Sequence, residues 1–120
     1  MKVLSSFDKK VIESTFRILE EESGFSRDVI RSRSRKIEIV TARYVAMYVV
    51  RRLTRMSLKT IGEEFDRDHS SIIHALDNVH VWFEAPNRYI PEMVMLQKVT
   101  SSVAHELDQE TQGMSQIAFS

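Results

Sequence analysis

Apolar residues recur at helical spacing through most of the chain, and nowhere do they alternate as in a strand. Phe7, Val11, Ile12, Phe16 and Leu19 share one side of a helix predicted from about Phe7 to Glu22. Ser5 or Ser6 can cap it, and Gly24 stops it. Ser26 can cap a short turn of helix around Asp28 to Arg31, followed by the polar link Ser32-Arg33-Ser34. A long helix is predicted from about Lys36 to Arg55, its buried stripe formed by Ile39, Val40, Val45, Ala46, Val49, Val50 and Leu53. Ser57 caps the next helix, with Thr60 in the capping-box position and Leu58, Ile61 and Phe65 turned inward. Asp68 can accept from the backbone amides of Ser70 or Ser71 and so start a helix to about Phe83, with Ile72, Ile73, Leu76, Val79 and Phe83 inside. Ala85-Pro86-Asn87 breaks that helix, and Pro91 opens a last one to about Gln109. The expected fold is all-α: one compact multi-helix domain over residues 1–110, then a frayed tail over 111–120.

Composition narrows the function classes. A chain of 120 residues, 42% hydrophobic, supports one domain with a modest core. Cysteine is absent, which excludes disulfides, thiolate metal sites and thiol nucleophiles. The apolar runs are too short to span a bilayer, and the first six residues lack the apolar stretch of a signal peptide, so a soluble cytoplasmic protein is expected. Net charge is zero, yet eleven Lys/Arg face five Asp/Glu between Arg27 and Arg67, leaving six against twelve elsewhere. A basic middle between acidic flanks is the footprint of a face that meets phosphate. Solvated helix faces are the plain alternative. The coincidence of the basic block with two short helices joined by a tight turn favours phosphate.

That pair, Ser57 to Leu76, has the form of a helix-turn-helix whose second helix begins with Asp68, His69, Ser70 and Ser71. Polar side chains in this first turn are the part that enters a major groove. A carboxylate there can accept from a cytosine amino group and a hydroxyl can bond several base edges. Asp68 can also serve as a plain N-cap, and His69 as a solvent-exposed imidazole. Arg67, just ahead of the helix, can reach a guanine edge or a phosphate. Arg35 sits in an extended basic lead-in, Arg31-Ser-Arg-Ser-Arg-Lys36. The four histidines lack a metal-binding spacing, Glu63 and Glu64 point in different helix directions, and no Gly-rich phosphate loop exists. Neither an enzyme nor a metal or organic cofactor is expected.

Two stretches carry a family resemblance. Arg35-Lys-Ile-Glu-Ile-Val-Thr-Ala-Arg-Tyr-Val-Ala-Met-Tyr-Val and Ser57-Leu…Ile61-Gly62…Phe65…Arg67-Asp-His-Ser-Ser-Ile-Ile-His-Ala resemble the DNA-binding C-terminal domain of the bacterial replication initiator DnaA. The resemblance covers about Ile12 to Leu107 and implies a TrpR-like helix-turn-helix that binds double-stranded DNA in replication initiation or its control. It places Arg35 in the minor groove, and Arg67, Asp68, His69 and Ser70 at base edges. Arg33, Lys36, Arg43, Arg51, Ser57, Lys59, Ser71 and His74 fall to the DNA backbone, with core packing the alternative for His74. Three departures stand out. Asp66 alone replaces the family's usual two glycines, which sets Arg67 back from its base by a few Å. Ser70 and Ser71 replace threonines and lose the methyls, and Ile37 replaces a common basic residue.

The Met1 start directly ahead of helical sequence fits a complete small protein of phage or mobile-element origin, with an excised domain as the alternative. Val81-Trp82-Phe83 and the stretch around Met93, Met95 and Leu96 can finish the core or meet a protein partner or second copy through the last helix. A protein-interaction module or a transcriptional regulator on the same scaffold is the rival function.

Overall fold

The computed structural model describes the backbone of residues 4–119 and the side chains of residues 4–109. Among them the order is α1 Ser6–Ser23, α2 Arg27–Arg31, α3 Ile37–Leu53, α4 Leu58–Glu64, α5 His69–Glu84, a 3₁₀ turn Pro86–Arg88, and α6 Ile90–Phe119. No described residue lies in a strand, and no described helix is long and apolar enough to cross a membrane.

The helix ends follow local side-chain chemistry. Ser5, Ser26 and Ser57 each accept a hydrogen bond from the amide three residues on, at 3.0, 3.3 and 3.1 Å, and so satisfy an orphan donor of the first turn. Gly24 ends α1 at φ 80°, where only a residue without Cβ sits free of strain, and its amide returns to the Glu20 carbonyl at 2.8 Å. Thr60 departs from the capping-box pattern: its hydroxyl lies 2.9 Å from the Ser57 hydroxyl. Asp68 occupies the N-cap of α5, but its carboxylate makes no capping bond, contrary to the sequence expectation. The Ser71 amide bonds instead to the Asp68 main-chain carbonyl at 3.1 Å, leaving the side chain in solvent.

α3 is the axle of the molecule, in contact with α1, α2, α4, α5 and α6. Ala42, Val45, Ala46, Val49 and Val50 are completely buried along it. Phe65, at the end of α4, packs its ring 5.5 Å from Phe16 of α1, which joins the helix-turn-helix to the rest of the core. Trp82 is buried and completes the core beside α6 residues Leu96, Val99 and Val103. α1 and α6 are further joined by Glu106, which accepts from both Arg17 and Ser14. Those hydrogen bonds, Arg17 first, hold the Glu106 carboxyl below its usual range.

Three residues expected inside lie outside. Phe7, Ile73 and Phe83 are each more than two-fifths exposed, because the buried stripes of α1 and α5 are narrower than the apolar pattern suggested. Phe83 rests its ring 5.7 Å from Tyr48 on the surface. α6 continues beyond the predicted end near Gln109, through the stretch read as a tail, to Phe119. Ser120 and the side chains past residue 109 lie outside the described residues.

Gly62 fixes how tightly α4 turns into α5. A Cβ at this helical position would overlap the Arg67 carbonyl oxygen, while the Arg67 amide bonds to the Gly62 carbonyl at 2.8 Å. Gly62→Ala is therefore expected to lower the unfolding free energy by about 1–3 kcal/mol. The measurement is a fall in the urea midpoint at unchanged slope; an unchanged midpoint would mean that the turn yields freely.

Candidate nucleic-acid interface

Main-chain bonds close the helix-turn-helix. Phe65 donates to the Ile61 and Gly62 carbonyls at 3.2 and 3.1 Å, and Asp66 to that of Glu63 at 3.2 Å. The chain then reverses at Asp66, whose φ of 55° is the left-handed conformation glycine would adopt without cost. One aspartate thus makes the turn. Beyond it Asp68, His69 and Ser70 stand exposed in succession at the start of α5, with Ser71 half-buried behind them.

The basic lead-in is an arm of irregular backbone laid against this turn. Arg31 Nε donates to the Glu64 carbonyl at 2.8 Å, and Arg33 Nη2 to the Asp66 carbonyl and carboxylate at 2.7 and 3.3 Å. In the opposite direction, Arg67 donates through Nη1 to the Phe65 and Arg31 carbonyls and through Nη2 to Ser32, at 2.7, 3.1 and 2.6 Å. The Arg67 side chain is folded back onto the arm and the turn. Burial, with the nearby charges of Arg43 and Arg33, pushes its guanidinium down to about 10, so it stays cationic at neutral pH.

Arg43 is placed differently from the sequence expectation of a phosphate contact. Its side chain enters the core side of the arm and is only 6% exposed. Nε donates to Ile30 at 2.8 Å, and Nη2 donates to Ser32 and Ser34 at 2.7 and 3.1 Å. A charge this buried and this fully engaged serves the fold; burial also holds its pKa below the ordinary arginine value.

The remaining candidates form two groups. Arg33, Arg35 and Lys36 are exposed beside the turn. Arg51, Ser57 and Lys59 lie around the far end of α3, about 24 Å along its axis from Arg35. Arg51 and Lys59 are exposed, although Arg51 Nη1 also donates to the Met56 carbonyl at 2.8 Å, and Ser57 is occupied in capping α4. His74 is exposed one turn into α5, edge-on to Tyr44 at 6.1 Å between ring centres, and 3.3 Å from the Asn78 amide.

Between α3 and α5 opens a polar recess of about 280 Å³ lined by Tyr44, Ser70, Ser71 and His74 with Arg43 and Arg67. Tyr44 was not singled out in the sequence; its position beside Arg43 on the rim of the apolar stripe was the available signal. No three His, Asp or Glu side chains among the described residues are grouped so as to hold a metal ion.

Residues 12–79 match the family model for the bacterial DnaA protein helix-turn-helix. The chromosomal replication initiator protein DnaA of Thermoanaerobacter sp. (strain X514) is 39% identical over 74 residues, covering 58% of this chain and 17% of that protein. The DnaA of Deinococcus deserti is 50% identical over 52 residues, 43% of this chain and 11% of its own length. That of Thermotoga sp. (strain RQ2) is 35% identical over 68 residues, 57% of this chain and 16% of its own. The matched region therefore spans under a fifth of each of these relatives.

The left-handed residue in the turn gives a stability contrast. Asp66→Val is expected to cost about 1–2 kcal/mol, the penalty of a Cβ-branched residue in this region. Asp66→Gly should stay within about 0.5 kcal/mol of the parent, since the exposed pair with Arg33 contributes little. Urea unfolding measures both; equal losses would trace the effect to the ion pair and not to the backbone.

Proposed function

The chain belongs to the bacterial DnaA helix-turn-helix family, and from that premise we propose that it binds double-stranded DNA with site preference, in replication initiation or its control. One observation carries the reading. Asp68, His69 and Ser70 at the start of α5, and Arg35 on the adjoining arm, are all exposed, while the arginines around them are bound to the protein. Polar groups held ready at a helix start, beside an extended arginine, match major-groove and minor-groove contact respectively.

In this reading Asp68, His69 and Ser70 address base edges, and Arg35 enters the adjacent minor groove. Arg33, Lys36, Arg51 and Lys59 meet phosphates, with Ser57, Ser71 and His74 contributing polar contacts that fix register. Arg43 and Arg67 stay on the protein. Binding needs no catalytic group or cofactor, and a role in nucleotide hydrolysis is not part of the proposal.

Four cationic phosphate contacts imply a steep salt dependence. Affinity for duplex DNA is expected to fall on the order of a hundredfold between about 50 and 200 mM salt. Arg35→Ala and His69→Ala should each remove about 1–3 kcal/mol of preference for a duplex selected from a random pool over a random duplex. Lys59→Ala should weaken both duplexes equally. Affinity that is undetectable, or flat in salt, would reject DNA binding and favour a protein-interaction module on this scaffold.

A further inference from the structure

Irregular backbone between helices ordinarily becomes ordered only when something satisfies its polar groups. The arm has partners for them inside the protein. The Ser32 hydroxyl donates to the Val29 carbonyl at 2.6 Å and accepts from the Ser34 amide at 3.3 Å, and the Ser34 hydroxyl accepts from the Lys36 amide at 3.3 Å. Arg43 takes alternate carbonyls, Ile30, Ser32 and Ser34, which fixes the extended path of the arm. Arg67, from the turn that launches α5, takes Arg31 and Ser32. The Ser32 carbonyl is shared by both guanidiniums, at 2.7 and 2.6 Å, so the arm cannot leave α3 or the turn without breaking bonds to each. Of the arginines at 31, 33, 35, 43 and 67, Arg35 alone among the described residues carries no hydrogen bond or ion pair.

We propose that Arg43 and Arg67 are positioning residues for Arg35: they lock the arm to the turn before DNA is met, so the two groove-reading elements form one preformed surface of fixed spacing. The proposal rests on the DNA reading and deepens it. A preset arm loses no conformational freedom on binding, and Arg35 arrives in register with His69 without a search. Arg43 then acts on DNA without touching it, mainly through Arg35, although its residue type suggests a phosphate contact.

A double-mutant cycle with the selected duplex tests this, pairing Arg43→Met, which keeps most of the volume, with Arg35→Ala. Arg43→Met alone should weaken binding about tenfold, through the cost of ordering a freed arm. In the Arg35→Ala background it should cost no more than about threefold, because the arm then positions only the phosphate contacts of Arg33 and Lys36. Its salt slope should match the parent. Additive losses, with a slope reduced by about 1, would make Arg43 a direct phosphate contact and overturn the proposal.

If Arg43→Met does not fold, Arg67→Met carries the same cycle from a half-buried position. Backbone relaxation of the free parent protein supplies a readout independent of any variant. Amide order parameters across residues 32–36 should lie near the rigid value of about 0.85, and values below about 0.6 would overturn the preformed arm. High order parameters with no duplex binding would reject the DNA reading itself and leave the arm without the role assigned here. Low ones with normal binding would reject the positioning alone.

Discussion

The molecule depends on a constraint set by peptide groups: a segment with no helix or strand partner still has carbonyls that need donors. Between α2 and α3 those donors are guanidiniums. Arg43 and Arg67 together satisfy the carbonyls of residues 30, 31, 32 and 34, and each such group left buried and unpaired would cost about 1–3 kcal/mol. Arginine suits the task because its rigid fork reaches several acceptors at once, which a lysine ammonium on a flexible stem does less well. Everything that makes the surface a candidate reader of DNA stands on this joint. The arm directs Arg35, the turn directs α5, and the Ser32 carbonyl belongs to both. Arg27 adds a further tie, its guanidinium lying 4.6 Å from the Phe16 ring centre and 3.7 Å from the Glu64 carboxylate.

The turn shows the same economy of parts. Gly62 gives up its side chain so that the Arg67 carbonyl can approach, and Asp66 accepts a left-handed backbone so that the chain can reverse ahead of α5. Aspartate tolerates that conformation better than most residues, since its short polar side chain is compatible with local bonding. Its carboxylate is also placed to meet Arg33. The strain at Asp66 is therefore local and small, and main-chain bonds hold the turn together with the guanidiniums of Arg31, Arg33 and Arg67. The turn thus keeps its geometry with aspartate, not glycine, at the left-handed position.

Much of the fold could be read from the sequence wherever one residue decides a local outcome. Ser5, Gly24, Ser26 and Ser57 mark helix ends because a hydroxyl at an N-cap or a glycine at a C-cap has few other uses. Collective outcomes were harder to read. Ile73 and Phe83 continue an apolar pattern on α5, but the face of a helix that meets the core is set by the neighbouring helices, and Trp82 fills the space instead. Asp68 looks like a cap in sequence, and the backbone bond from Ser71 supersedes it. In the candidate site, the positions of Asp68, His69, Ser70 and Arg35 on the surface were foreseeable. The inward turn of Arg43 was not, because one helical register separates an arginine facing solvent from one facing a loop, and the loop has no sequence signal of its own.

Buried as it is, Arg43 still contributes to the positive field of this face, because charge acts over distance. A guanidinium bonded to carbonyls keeps its positive charge: those acceptors are dipoles, not anions, and cancel no net charge. At physiological ionic strength screening takes effect over roughly 8 Å, so arginines packed one layer beneath a surface still raise the potential a phosphate meets there. Arg31, Arg33, Arg43 and Arg67 are crowded closely enough that burial and mutual repulsion together lower the proton affinity of Arg67. That repulsion is a cost of folding, and an approaching polyanion would relieve it. The basic block between Arg27 and Arg67 thus has two roles that sequence alone merges. Its inner arginines order the arm and supply a field, while its exposed ones, Arg35 foremost, can touch whatever that field attracts.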